Sequence, residues 1–146
     1  MFKIINFIKD FHPMSLQSYR NSKGELAIGW NHTLNVYNGL TCSEEKATQW
    51  LEEDIKALKI AIPKLLNSPL SKTKEIALFS LIHEIGIDTF YSSKLRNYLN
   101  NKQIKLAGNE FLTYNKNGNA ISINVLRRRQ AEQKLFLLEE ENDGHN

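Results

Sequence analysis

The sequence predicts an α+β fold, mostly helical, folded as one domain. Three observations carry that expectation. Apolar residues recur at helical spacing in stretch after stretch of the chain. Two short extended segments, LQSYR and ELAIGW, are joined by the turn NSKG, and they are the clearest strand signal. Ser and Thr stand ahead of the helical patterns as caps, and Gly or Pro closes them.

The elements follow in order. Residues 1–12 place Ile4, Ile5, Ile8 and Phe11 on one face of a first helix, which Pro13 breaks. Residues 13–40 hold the hairpin, with Asn21 and Gly24 suiting a turn that needs positive φ, and then the looser NHTLNVYNGL. Residues 41–62 form a connecting helix capped by Thr41 or Ser43, with Glu44 and Glu45 favourable in its first turn. Its apolar face is Ala47, Trp50, Leu51, Ile55 and Leu58, and Pro63 lies near its end.

Residues 63–139 make a helical lobe. SPLSKTKEIALFSLIHEIG, capped by Ser68 or Ser71, is apolar on most sides and is expected to be the buried central helix, ended by Gly86. TFYSSKLRNYLNN and IKLAGNEFLTYN read as two short helices, KNGNAIS as a loop, and INVLRRRQAEQKLFLLEEE as the last helix. Residues 140–146 are expected to fray.

A chain of 146 residues buries roughly 70% of its unfolded surface and folds without staples. The lone Cys42 excludes an internal disulfide and reads as a small packing residue. A net charge of +3 and a pI of 8.9 are only mildly basic. No run approaches the ~18 apolar residues of a spanning helix, and Asn6, Lys9 and Asp10 interrupt any signal-peptide core, so synthesis in the cytoplasm is expected. HEIGI begins like a zinc motif but has Ile87 at the second ligand position. The four histidines, His12, His32, His83 and His145, have no metal-ligand spacing, so neither a metal nor a cofactor is expected.

IKDF before LQSY, GELAIGWNHT, LTCSEEKATQWLEEDI, PLSKTKEIALFSLIHEIGIDTFYSSKL and VLRRRQAEQKLF occur in an order that resembles the phage-type lysozymes. These are endolysins, or muramidases, that cleave the glycan of bacterial peptidoglycan. The first two stretches, for example, are similar to the family's I-K-x-F-E-G-x-x-L-x-A-Y and G-x-x-T-I-G-x-G-H-T patterns. The resemblance covers nearly the whole chain. It implies a lysozyme-like fold with a small hairpin lobe and a larger helical lobe, a phage or prophage origin, and peptidoglycan as ligand or former substrate.

The resemblance also implies where the chemistry should lie. In the family a Glu after the first Phe protonates the glycosidic oxygen. An Asp further on stays charged and supports the transition state, and a Thr beyond that positions water. These positions fall on His12, Asn21 and Ala27, so all three groups are replaced. Asn21 carries no charge, and Ala27 has no hydroxyl. His12 has an ordinary pKa near 6.5, but an imidazolium without a partner carboxylate is half a mechanism. Asn31 also stands where the family has Gly.

Replacement acids are Glu25, beside the hairpin, and Glu84, at the place of the family's F-N-x-G Asn. Asp10, two residues before His12, points away from it on a helix. The plainer reading of Glu84 is a partner for Arg127, Arg128 or Arg129, which lose a carboxylate when position 12 is not Glu. Trp30 and Tyr114 are candidate sugar-stacking residues. His32 is a candidate contact whose plainer role is a hydrogen bond or ion pair. The RRR run reads as a solvated, partly ion-paired face rather than a nucleic-acid site.

The expected function is a degenerate lysozyme, a pseudoenzyme that is monomeric and acts by binding glycan or a protein partner. The alternatives are an active muramidase with a re-sited acid, at Glu84, Glu25 or His12, and a structural or inhibitory phage protein.

Overall fold

The structure, a computed structural model that describes residues 1–139, runs helix, hairpin, long helix and then a helical cluster. Helix α1 (Phe2–Phe11) buries Ile4, Ile5 and Ile8 of the expected stripe, whereas Phe11, its fourth member, is exposed at the helix end and lines a cavity there. It stops at His12 because the residue before a proline avoids helical ψ. His12 has φ −99° and ψ 122°, so the chain leaves extended at that point.

Strands β1 (Ser15–Arg20) and β2 (Leu26–Gly29) pair antiparallel, with Tyr19 opposite Ala27 and Arg20 opposite Leu26. The register shifts between Ser15 and Tyr19, so the hairpin bends. Gly29 has φ +66°, and a Cβ there would meet the Ala47 Cβ at 2.9 Å, so a side chain would push the hairpin off the next helix. That helix, α2 (Glu44–Ala61), is capped by Ser43, whose Oγ accepts from Lys46 N at 3.1 Å. It buries Ala47, Leu51 and Ile55.

Helix α3 (Lys72–Ile85) is capped by Ser71 and buries every residue from Ala77 to Ile82. It is the expected central helix, and Gly86 ends it at φ +89°. Around it stand α4 (Ile87–Tyr91), α5 (Lys94–Asn100), α6 (Ile104–Glu110) and α7 (Ile123–Phe136). The largest helix–helix contact is between α3 and α7, and α1 packs on α3 as well. The core joins Ile4, Ile8, Leu51, Ile55, Leu78, Phe79, Phe90, Phe111 and Phe136. No helix among the described residues is long and apolar enough to cross a membrane.

Three expectations on the helical side are corrected. The segment read as one helix from Thr89 to Asn101 is two, α4 and α5. Ser93 divides them by donating to Phe90 O at 2.7 Å and accepting from Arg96 N at 3.0 Å. KNGNAIS is not a loop: β3 (Lys116–Asn117) and β4 (Ala120–Ile121) form a small hairpin turning at Gly118, where φ is +68°. Helix α7 ends at Phe136, short of the acidic run, so Glu139 lies beyond it. Glu140, Glu141, His145 and the frayed tail expected over 140–146 lie outside the described residues.

Candidate active site

Where α1 ends, the β1–β2 hairpin, the end of α3 and the start of α7 converge on a cavity of about 640 Å³. His12, Tyr19, Asn21, Asn31, Glu84 and Arg128 line it. A second cavity of about 300 Å³, with Lys23, Tyr114 and Arg129 in its walls, shares Ser22, Glu84 and Val125 with the first. Glu84 therefore stands at the junction of the two.

Beneath this junction lies a buried ionic cluster. Arg128 and Arg129 are only 3% and 1% exposed, which corrects the solvated face expected for RRR; Arg127 alone of the three is exposed. Both guanidiniums meet the same oxygen, Glu84 Oε1, at 3.3 Å from Arg128 and 2.8 Å from Arg129. Both also pair with the fully buried Glu132, at 3.3 Å and 2.8 Å. Ser80 ties the cluster to α3: its carbonyl accepts from Arg128 at 2.9 Å, and its hydroxyl donates to Glu132. Two positive and two negative groups balance, which is the condition for burying charge at tolerable cost. Glu132, three and four residues beyond the arginines, was the signal in the sequence for this cluster.

His12 completes the arrangement as a neutral ring. Arg128 Nη1 lies 3.0 Å from His12 Nδ1, and a guanidinium can only donate, so Nδ1 accepts. The ring proton is then on Nε2, facing Tyr19 Oη at 3.3 Å. Burial foremost, and then the Arg128 charge, lower the His12 pKa to about 4; Glu84 opposes the shift and Arg129 adds to it. The imidazolium considered from the sequence is therefore absent at neutral pH. His83, edge-on to His12 at 5.7 Å between centroids, is also held neutral, chiefly by burial and then by Arg128.

Burial alone would raise the Glu84 pKa. The Arg129 and Arg128 guanidiniums outweigh it and hold the carboxyl below its ordinary range. At neutral pH Glu84 is a clamped carboxylate, not a proton donor.

Asn21 is fixed by both ends of its amide. Its Oδ1 accepts from Lys23 N at 3.0 Å and Glu25 N at 2.9 Å, which shapes the turn. Its Nδ2 donates to Asn31 Oδ1 at 2.9 Å and to Glu25 Oε1 at 3.3 Å. Asn31, at φ +64°, donates in turn to His83 O at 3.1 Å, so the hairpin is tied to α3 through two amides. Sequence reasoning missed this tie, and it missed Tyr19 as the partner of His12.

The remaining candidates separate. Ala27 is fully buried and does not line either cavity, and Glu25 is exposed at the turn. Trp30 is 6% exposed under Lys9, whose Nζ sits 4.6 Å from the ring centroid, so it has no open face on which a sugar could stack. His32 is buried too: its Nδ1 pairs with Asp54 at 2.9 Å and its ring stacks on Trp50 at 4.7 Å. Tyr114 is half-buried in the wall of the second cavity. Asp10, although two residues from His12, reaches the wall of the first. Among the described residues no group of three His, Cys, Asp or Glu side chains is placed to hold a metal ion.

The family model for phage lysozyme matches residues 9–132, which span the cavity-lining end of α1, the hairpin, α3 and the ionic cluster on α7. The chain belongs to the phage lysozyme family. This lysozyme-family chain is 36% identical to the endolysin of Salmonella phage P22 over 127 residues, covering 84% of the chain and 86% of the relative. It is 33% identical to the endolysin of Bacillus phage B103 over 136 residues, 91% of the chain but 52% of that relative, so it spans about half of the longer protein. The muramidase domain of SpmX from Asticaccaulis excentricus superposes with a TM-score of 0.79 at 26% identity, covering 93% of the chain and 95% of the domain. The lysozyme-like, mostly helical α+β fold expected from the sequence is the fold that is found.

Proposed function

We propose that this phage lysozyme family member binds peptidoglycan glycan in its cleft without hydrolysing it by the two-carboxylate route. The observation that carries the reading is the protonation pattern around the cavity. Glycoside cleavage needs one group holding a proton to give and another holding negative charge across the sugar. Here the ring at position 12 is neutral with a pKa of about 4, and the amide at position 21 is uncharged. Glu84 is ionised and clamped by two arginines, so it retains charge but has no proton to deliver.

What supports binding is the rest of the wall. Tyr19, Asn117, Ser122 and Asn124 offer uncharged donors and acceptors of the kind that sugar hydroxyl and acetamido groups use, and about 640 Å³ suits a short stretch of glycan. Co-sedimentation with purified sacculi tests this half of the reading. The protein is expected to pellet with sacculi and to be released by soluble N-acetylglucosamine oligomers. Protein that stays in the supernatant at every loading would contradict glycan binding and point to a protein partner.

A further inference from the structure

We propose that residues outside positions 12, 21 and 27, namely Glu84 and Asn31, lock the cleft in its present form, so that restoring an acid at either wall is opposed by a neighbour. The inference rests on the functional reading above and deepens it. Its test reads stability and proton binding, so it succeeds or fails independently of glycan cleavage.

The first lock is ionic. Arg128 Nη1 already faces two acceptors, His12 Nδ1 at 3.0 Å and Glu84 Oε1 at 3.3 Å. A Glu at position 12 has its oxygens one bond further out than Nδ1, so it reaches the same guanidinium. With Glu84 in place the cluster would then hold three carboxylates against two guanidiniums, and two of them would share one arginine. Like charges so placed share a proton, and the carboxyl pKa rises. One carboxylate fits Arg128 from the cavity side, and Glu84 supplies it from α3.

The second lock is an amide pair. Asn31 Nδ2 donates to His83 O, so its Oδ1 is committed as an acceptor toward position 21. An Asp at 21 would turn an oxygen toward that Oδ1 and another charge toward Glu25, where Asn21 now donates at 2.9 and 3.3 Å. Asn21 and Asn31 therefore work as one unit across the hairpin.

Double-mutant cycles followed by urea unfolding test both locks. His12→Glu and Glu84→Gln alone are each expected to lower the unfolding midpoint, and the His12→Glu/Glu84→Gln protein to recover much of the loss, because it restores two charges of each sign. Asn21→Asp is expected to lower the midpoint, and less so when Asn31→Gly removes the opposing oxygen. Carbon-13 NMR of His12→Glu supplies a readout that general instability does not move. Its new carboxyl should titrate above the ordinary Glu range with Glu84 present and fall when Glu84→Gln is added. If His12→Glu does not fold, the His12→Glu/Glu84→Gln protein is compared with His12→Gln, which adds no charge: the double variant is expected to fold, and its failure to fold where His12→Gln folds would overturn the proposal. Additive losses in both cycles, or a position-12 carboxyl indifferent to Glu84, would overturn the proposal.

Discussion

Glu84→Gln is expected to cost the folded protein about 3–5 kcal/mol, the range for removing one partner of a buried pair. The loss comes less from the missing attraction than from what remains. Arg128 and Arg129 would stay buried with Glu132 as their one remaining carboxylate among the described residues, and the cluster would carry an uncompensated positive charge. Gln keeps the shape and offers an amide oxygen to Arg129, so packing is nearly unchanged and the charge is isolated as the variable. Urea unfolding at pH 7 measures the effect. A loss under about 1 kcal/mol, the size typical of exposed pairs, would mean that Glu84 is free of the arginines and open to another role.

The second large effect is a dependence on pH with a defined window. In the unfolded chain His12 takes a proton near its ordinary pKa of 6.5, whereas in the folded chain it does so only near about 4. Between these values the unfolded state binds the extra proton, so stability falls as pH is lowered from 6.5 towards 4, and the loss levels off below that. Above 6.5 the ring is neutral in both states and contributes nothing to the slope. The gap corresponds to roughly 3 kcal/mol from His12, and the buried His83 acts in the same direction. Glu84 adds a further loss below its ordinary carboxyl range, since its folded pKa is depressed. His12→Gln should lessen the slope between pH 6.5 and 4, leaving the share due to His83 and the fall at lower pH. Urea midpoints in steps across pH 3–8 would show it. A wild-type curve that is flat between 6.5 and 4 would contradict the burial and charge argument for His12.

What was legible in the sequence is what local chemistry determines. The stripe Ile4, Ile5 and Ile8, followed by Pro13, put His12 at the end of a helix, and only the family resemblance pointed to a site there. The NSKG turn made the hairpin, and each long helix starts at one of the two caps the sequence left open, Ser43 rather than Thr41 and Ser71 rather than Ser68. What was not legible depends on partners distant in the chain. The pairing of Glu84 with the arginine run was legible as its plainer reading, but the burial was not: three adjacent arginines on a polar helix look solvated until α3 brings Ser80 as well as Glu84 against two of them. Trp30 offered the aromatic face that sugars favour, but local pattern could not say that this face lies under Lys9. The amide link from Asn21 through Asn31 to His83 crosses two elements and has no local signature. The neutral state of His12 follows from its burial first and then from the Arg128 charge, on the far end of the chain, and residues near position 12 signal neither.

The most direct measurement is release of soluble muropeptides from purified sacculi, at pH values from 4 to 8, beside an active phage lysozyme and a heat-killed blank. The wild-type protein is expected to release no more than the blank at any pH while remaining bound to the sacculi. Release above the blank that disappears in Glu84→Gln, in a protein shown to be folded, would contradict the binding-only reading and make Glu84 the working carboxylate.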